Sequence, residues 1–205
     1  MPDFDSPDFL RLDELLAEEE RLARDAVRDF VSKDFLPLLQ EHVRQDGSFP
    51  MQLVPRMAEL GLFGANLVGY GCAGMNNVAY GLVMQELERG DSGLRSFASV
   101  QGGLVMYPIH AYGSEAQKDR WLPQLASGRA VGCFGLTEPD FGSHASGMRT
   151  RAEKKGAKWV LNGTKRWITN GTVSDVAIVW ARAGDAIRGF LVERGMKGFE
   201  ARDIK

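Results

Sequence analysis

A short apolar run, Val131 to Leu136, ends abruptly in Thr137-Glu138-Pro139. The turn that follows is built from Pro139, Asp140 and Gly142, and it closes at Ser143. Such a sequence reads as a strand that stops at hydroxyls, backbone amides and a glycine. Pro139 fixes φ, and Gly142 lets a ligand approach the backbone closely. The stretch therefore offers fixed donors to something flat and polar, or anionic. On spacing alone, an ordinary exit from strand to loop is the simpler account, so the rest of the chain has to decide.

Composition sets the bounds. The 205 residues suffice for one large domain or two small ones with a sizeable core. Apolar residues make up 44% and charged residues 25%, ordinary values for a globular protein, and a net charge of −2 gives no basic field for nucleic acid or anionic lipid. Lys and Arg are scattered among acids, which argues against a nucleic-acid partner. Cys72 and Cys133 lie far apart in apolar surroundings and fit free thiols in a reducing, cytoplasmic setting. The acidic start, Met1 to Asp5, lacks the order of a signal peptide, and no apolar run approaches the ~20 residues of a membrane span. His42, His110 and His144 show no metal-ligand spacing, so no metal site is expected.

The elements that must position these residues fall into two halves. In the first, Leu22, Ala23, Ala26, Val27, Phe30 and Val31 recur at helical steps, and Pro37 is expected to end or kink that helix. Further helices are expected from Gln52 to Leu60 with Gly61 as the stop, and from Asn77 to Glu88. Ser114 with Gln117 is a capping box that starts another, carrying Trp121, Leu122 and Leu125 and closed by Ser127-Gly128. In the second half the period shortens. Lys158 to Leu161 and Thr164 to Thr169 flank Asn162-Gly163 and predict a hairpin; Asn170-Gly171 marks another turn. Val176 to Ala181 and Ile187 to Val192 are short strand patterns. The expected fold class is α+β: an all-α domain over 1–130, then an antiparallel β domain over 131–205. The strand pattern still runs at Met196 to Lys205, so the chain reads as the front part of a larger protein or as one needing a partner to complete its sheet.

Cys133-Phe134-Gly135-Leu136-Thr137-Glu138-Pro139 with Gly142-Ser143, and Asn162 to Asn170, resemble the two flavin motifs of the acyl-CoA dehydrogenase family. The resemblance runs over nearly the whole chain, and two long motifs in order are highly specific. It implies a helical domain, a middle β domain and a C-terminal helical domain missing from these residues, assembled as a homotetramer around FAD. By position, Phe134, Leu136, Thr137, Gly142 and Ser143 should line the flavin and its pyrophosphate, with Ser143 also touching the CoA moiety. Trp167, Ile168 and Thr169 should cover the isoalloxazine, the Thr169 hydroxyl lying near its reactive nitrogen. Taken alone, Trp167 reads as a core aromatic on a strand. The sequence departs from the family at Phe141, where a small residue is usual, and at His144, where aspartate is usual.

Glu86 to Gln101 resembles the glutaryl-CoA dehydrogenase branch of the family. The branch implies that Arg95, Ser96 and Ser99 face the distal end of the acyl pocket. A tail ending in a carboxylate would be costly to bury unpaired, and an arginine grips it through two charge-assisted hydrogen bonds. Glu88, seven residues before Arg95, would share a helix face and hold the guanidinium. On position alone, Arg95 reads as a solvated surface residue paired with Asp91 or Glu88. The implied activity is FAD-dependent α,β-dehydrogenation of an acyl-CoA, with glutaryl-CoA decarboxylated to crotonyl-CoA, as in amino-acid catabolism. Electrons would leave to an electron-transferring flavoprotein. Other readings are another short-chain acyl-CoA dehydrogenase and a non-catalytic acyl-CoA-binding relative. The general base is expected beyond residue 205, so no catalytic residue is assigned; Glu138 belongs to the flavin loop.

Overall fold

The first helical pattern is realised as α1, Glu18–Phe30, in a computed structural model that describes residues 8–39 and 49–203. The acidic N-terminus and His42 lie outside the described residues. The buried stripe of α1 is narrower than its periodicity suggests. Val27, Phe30 and Val31 are buried, whereas Leu22 and Ala26 are exposed. Glu20 is buried because it closes the N-terminus, accepting from the Ala17 N–H at 2.8 Å and from the Asn76 amide at 2.8 Å. Pro37 does not end the helix. A π-helical turn over Val31–Phe35 precedes it, and residues 36–39 stay helical. Widening the turn supplies the relief that a proline ring needs from the carbonyl four residues back.

The described residues fall into two compact units. The first comprises those of Met1–Leu53 and Met75–Arg95; the second, those of Val54–Gly74 and Ser96–Lys205. In the first, α1 packs on a second helix, here numbered α3, Asn77–Gly90. Asn76 caps α3 by accepting from the Ala79 N–H at 2.8 Å. Ala79, Val83, Glu86 and Leu87 form its buried stripe. Glu86, only 1% exposed, is held by Arg28 at 2.9 Å and Arg89 at 2.8 Å, and these two arginines keep its carboxyl below the usual range against the opposing effect of burial.

In the second unit α2, Val54–Glu59, stops at Gly61 with φ 68°, as its sequence predicts. Helix α4, Ser92–Ser99, enters this unit at Ser96 and leads into a π-helical stretch, Val100–Met106, and then α5, Tyr107–Tyr112. Helix α6, Glu115–Ala126, starts at the capping box of Ser114 and Gln117. Gln101, fully buried, ties this layer together. Its amide donates to the carbonyls of Leu125 (3.0 Å) and Ala130 (2.8 Å), and its oxygen accepts from the Gly132 N–H (2.8 Å). Gly132 has no room for a side chain, since a Cβ there would sit 2.5 Å from Val105.

Five strands follow: β1 Gly132–Gly135, β2 Arg151–Lys155, β3 Lys158–Asn162, β4 Val176–Ala183 and β5 Ala186–Glu193. Helices thus precede strands, as the α+β expectation requires, but the sheet is mixed and not antiparallel. Strand β5 pairs antiparallel with β4 along its length, while β1 pairs parallel with β4 from Val176 to Val179 and β2 parallel at Arg182. The loop between β1 and β2 returns the chain to the same edge of β4 in the same direction. Asp175 fixes that register: its carboxylate accepts from the Val131 N–H at 2.8 Å and its own N–H donates to the Val131 carbonyl at 2.7 Å.

The hairpin expected at Asn162-Gly163 lies one strand earlier. Its turn is Gly156-Ala157, with Gly156 at φ 61°, joining β2 to β3. Residues 163–168 are neither strand nor helix. A two-residue primed turn needs positive φ, which neither Asn162 nor Gly163 adopts. Gly163 serves instead for close packing, since a Cβ there would collide with Thr150. Asn170-Gly171 is a turn as predicted, with Asn170 at φ 65°.

Candidate functional site

Strand β1 carries Phe134 to the edge of a cleft and delivers Leu136 and Thr137 just past its end. The Phe134 ring packs edge-on against Trp180 of β4, with centroids 5.9 Å apart. The opposite wall is the irregular segment after β3, from which Trp167, Ile168 and Thr169 face the same cleft. The open cleft has a volume of about 270 Å³, and Val100 and Leu104 of the π-helical stretch complete the lining. The structure thus brings together six of the residues that the two motifs single out. Val100 and Leu104 belong to neither motif, and only the widened helical turn that presents them connects them to the site.

The two walls are fastened to each other by short hydrogen bonds. The Arg166 N–H donates to the Thr137 carbonyl at 2.9 Å, and the Lys165 ammonium donates to the Leu136 carbonyl at 2.9 Å. Lys165 also donates to Glu138 at 2.9 Å, and Asn170 reaches the Gly132 carbonyl at 3.3 Å. Glu138 is 4% exposed and accepts further from the N–H groups of Arg149 (2.6 Å) and Thr150 (2.9 Å). Burial works to raise its carboxyl, but the hydrogen bonds from Thr150, Lys165 and Arg149 outweigh it and hold it at about 2. Glu138 is therefore a locked carboxylate that points at the protein's own amides.

Trp167 is not a core aromatic on a strand. It is 66% exposed and sits at φ 58°, the left-handed region that bulky residues rarely occupy. The Arg166 guanidinium lies 4.8 Å from its ring centroid. The conformation of Trp167 is therefore imposed by its neighbours and not by its own burial.

Gly142 and Ser143 lie outside this cleft, exposed on the turn beyond Glu138, and open space surrounds the position where a Gly142 side chain would stand. Phe141 packs within its own loop. Its ring lies 5.5 Å from the Arg149 guanidinium and 6.1 Å from the His144 ring, and only a glycine at 147 leaves it room.

Arg95 donates through Nε to Glu88 at 2.6 Å, and Ser92 donates to the same carboxylate at 2.6 Å. Ser92 first and Arg95 second keep the Glu88 carboxyl below its ordinary value. The pair forms, but not along one helix face. Helix α3 ends at Gly90, Asp91 is extended at φ −168°, and α4 restarts at Ser92. Ser99 donates to the Ser96 carbonyl at 3.2 Å.

Cys72 and Cys133 are free, and burial raises both thiols. Among the described residues no cluster of His, Cys, Asp or Glu could hold a metal ion, and no helix is long and apolar enough to cross a membrane.

Comparison with known proteins gives matches at both ends of the chain. Residues 17–129 match the acyl-CoA dehydrogenase N-terminal domain and residues 133–205 the acyl-CoA dehydrogenase middle domain. A probable acyl-CoA dehydrogenase of Bacillus subtilis, YngJ, is 42% identical over 172 residues, 82% of this chain and 44% of that protein. The mitochondrial short-chain specific acyl-CoA dehydrogenase of Rattus norvegicus is 35% identical, over 86% of this chain and 44% of its own length. A glutaryl-CoA dehydrogenase from Mycobacterium smegmatis, solved in complex with FADH2, superposes with a TM-score of 0.94 at 52% identity, covering 97% of this chain and 51% of that one. The chain spans about half the length of the relatives it matches. With both domain models matched in order across almost every residue, the chain belongs to the acyl-CoA dehydrogenase family.

Proposed function

We propose that the intact protein removes hydrogen across the α,β bond of an acyl-CoA thioester, with FAD in the cleft between β1 and the 164–169 segment, and that its substrate is glutaryl-CoA. The observation that carries the first part is the cleft itself. Its walls are apolar side chains bearing two hydroxyls, Thr137 and Thr169, and its 270 Å³ suits a fused ring system better than a whole dinucleotide. That would fit an isoalloxazine, and Gly142 and Ser143, exposed on the turn beyond Glu138, would hold the rest of the cofactor. FAD, when bound, accepts the β hydrogen as hydride.

The chain's own groups supply the rest. Phe134, Leu136, Trp167 and Ile168 exclude water from the ring, and the Thr137 and Thr169 hydroxyls orient it. Removing the α proton needs a carboxylate base. Glu138 is unsuited, since its carboxylate is buried and spent on Lys165 and two backbone amides. No described residue is assigned as that base. Ser143, exposed on the turn, is our choice for contact with the CoA moiety.

The acyl tail is read from Arg95, whose guanidinium Glu88 fixes through Nε, with Ser96 as an additional donor and Ser99 as another once its O–H leaves the Ser96 carbonyl. The 52% identity to a glutaryl-CoA dehydrogenase supports this choice, and the 35% identity to a short-chain enzyme is its competitor. Oxidation would be followed by loss of CO2 to give crotonyl-CoA, with electrons passing to an electron-transferring flavoprotein and the enzyme working as a cytoplasmic homotetramer. Arg95→Ala in the intact enzyme is expected to lower kcat/KM for glutaryl-CoA about 100-fold, the loss of a bidentate charge-assisted contact, while butyryl-CoA turnover changes little. If glutaryl-CoA turnover survives the substitution, Arg95 is structural and the short-chain reading takes over.

A further inference from the structure

The two walls of the cleft come from segments about thirty residues apart in sequence, and the Lys165 side chain makes the shortest side-chain bridge between them. Lys165, 11% exposed, lies at the root of the Trp167 wall, yet its ammonium donates to the Leu136 carbonyl on the other wall and to the buried Glu138 carboxylate. Glu138 in turn is fixed by the backbone amides of Arg149 and Thr150, just ahead of β2. Neither Lys165 nor Glu138 lines the cleft. Elsewhere between the walls there are the Arg166 to Thr137 backbone bond and the long Asn170 contact. Residues 163–168 have no ladder partner to hold them, and Trp167 sits in a backbone conformation that it would leave if released.

We propose that Glu138 and Lys165 form a positioning strut that sets the separation of the two flavin-facing walls, so that the fit of the cofactor depends on a charge pair that never touches it. This rests on the reading of the cleft as a flavin site. Lys165 determines where the Trp167–Thr169 wall stands relative to Leu136 and Thr137, and Glu138 determines where Lys165 stands. The strut differs from an ordinary buried ion pair in one respect. An ion pair of purely structural value can be replaced by uncharged groups of similar shape with stability restored. A strut cannot, because the ammonium's second bond, to the Leu136 carbonyl, is lost with it.

The test uses the intact flavoprotein with Lys165→Met, Lys165→Arg and the double change Glu138→Gln with Lys165→Met. Flavin affinity is measured by titrating apoprotein with FAD, alongside the visible circular dichroism of the bound flavin and the thermal midpoint of the apoprotein. Lys165→Met is expected to weaken FAD about tenfold, the worth of one charge-assisted hydrogen bond, and to alter the dichroism. The double variant leaves no buried charge unpaired and is expected to regain the apoprotein's thermal midpoint without regaining FAD affinity. Lys165→Arg, which keeps donors for both the Leu136 carbonyl and Glu138, is expected to recover part of the affinity. If the double variant binds FAD as tightly as the parent with unchanged dichroism, the pair is structural only and the strut is wrong. If the parent protein itself takes up no flavin, the reading of the cleft fails before the strut is tested.

Discussion

Glu138 shows how far a single side chain's environment can move it from its ordinary behaviour. It is buried, yet its carboxyl is held at about 2, because three neighbouring donors outweigh the desolvation that would raise it from 4.5. The sign of the linkage follows. The folded state binds this proton more weakly than the unfolded chain, so the contribution is complete above about pH 4.5 and is lost as pH falls toward 2. It amounts to about 3 kcal/mol. Urea unfolding of the intact protein should therefore show a difference between parent and Glu138→Gln that is largest near neutrality and shrinks as pH is lowered through this window. A difference that stays constant down to about pH 3 would mean that Glu138 is not held as its contacts indicate. The sequence revealed Glu138 as part of a motif but not its job, since nothing in Thr-Glu-Pro says that the donors arrive from Arg149, Thr150 and Lys165. The segment around Trp167 is illegible for a related reason: Thr164 to Thr169 reads as a strand, and only the left-handed backbone at Trp167 turns this aromatic outward into the cleft that its motif implies.

Among the elements, the helices were the most legible and the strand pairings the least. Capping chemistry is local, so Ser114 with Gln117 and the Gly61 stop appear where the residues say. Strand pairing is not local. Asn162-Gly163 carries the favoured hairpin dipeptide, but the turn formed at Gly156-Ala157, because Gly163 is needed for contact with Thr150. The parallel pairing of β1 with β4 depends on Asp175 reaching back to Val131 across 44 residues, which no window of sequence displays. Gln101 is the comparable device between helix and sheet. Gln101→Leu removes three buried hydrogen bonds and takes their side-chain partner from the Ala130 carbonyl and the Gly132 amide, while the Leu125 carbonyl keeps the Gly128 N–H at 3.2 Å. The expected cost is about 3 kcal/mol or more, read as a lowered thermal midpoint of the intact protein. The same substitution should loosen the cleft, since Gln101 neighbours Val100 on the π-helical stretch and holds the first residue of β1. A midpoint within a degree or two of the parent would show that water or rearrangement satisfies these groups.

On the scale of the whole protein, the chain supplies a helical part, a mixed sheet and, within its second compact unit, a cleft walled by two family motifs. The six cleft residues that the motifs share were legible because each motif keeps its chemistry within a few consecutive positions. The depth of the cleft was not, because Val100 and Leu104 reach it from a helical distortion that has no sequence signature here. Membership of the acyl-CoA dehydrogenase family is settled by the match of both domains. The proposed substrate narrows that membership through one arginine and its glutamate partner. The most direct measurement is the visible absorbance of the intact purified protein, taken without oxygen before and after addition of glutaryl-CoA, with butyryl-CoA in a parallel sample. The account predicts a bound flavin whose oxidised band bleaches rapidly with glutaryl-CoA and much more slowly with butyryl-CoA. A protein that carries no flavin, or a flavin that no acyl-CoA bleaches, would contradict it.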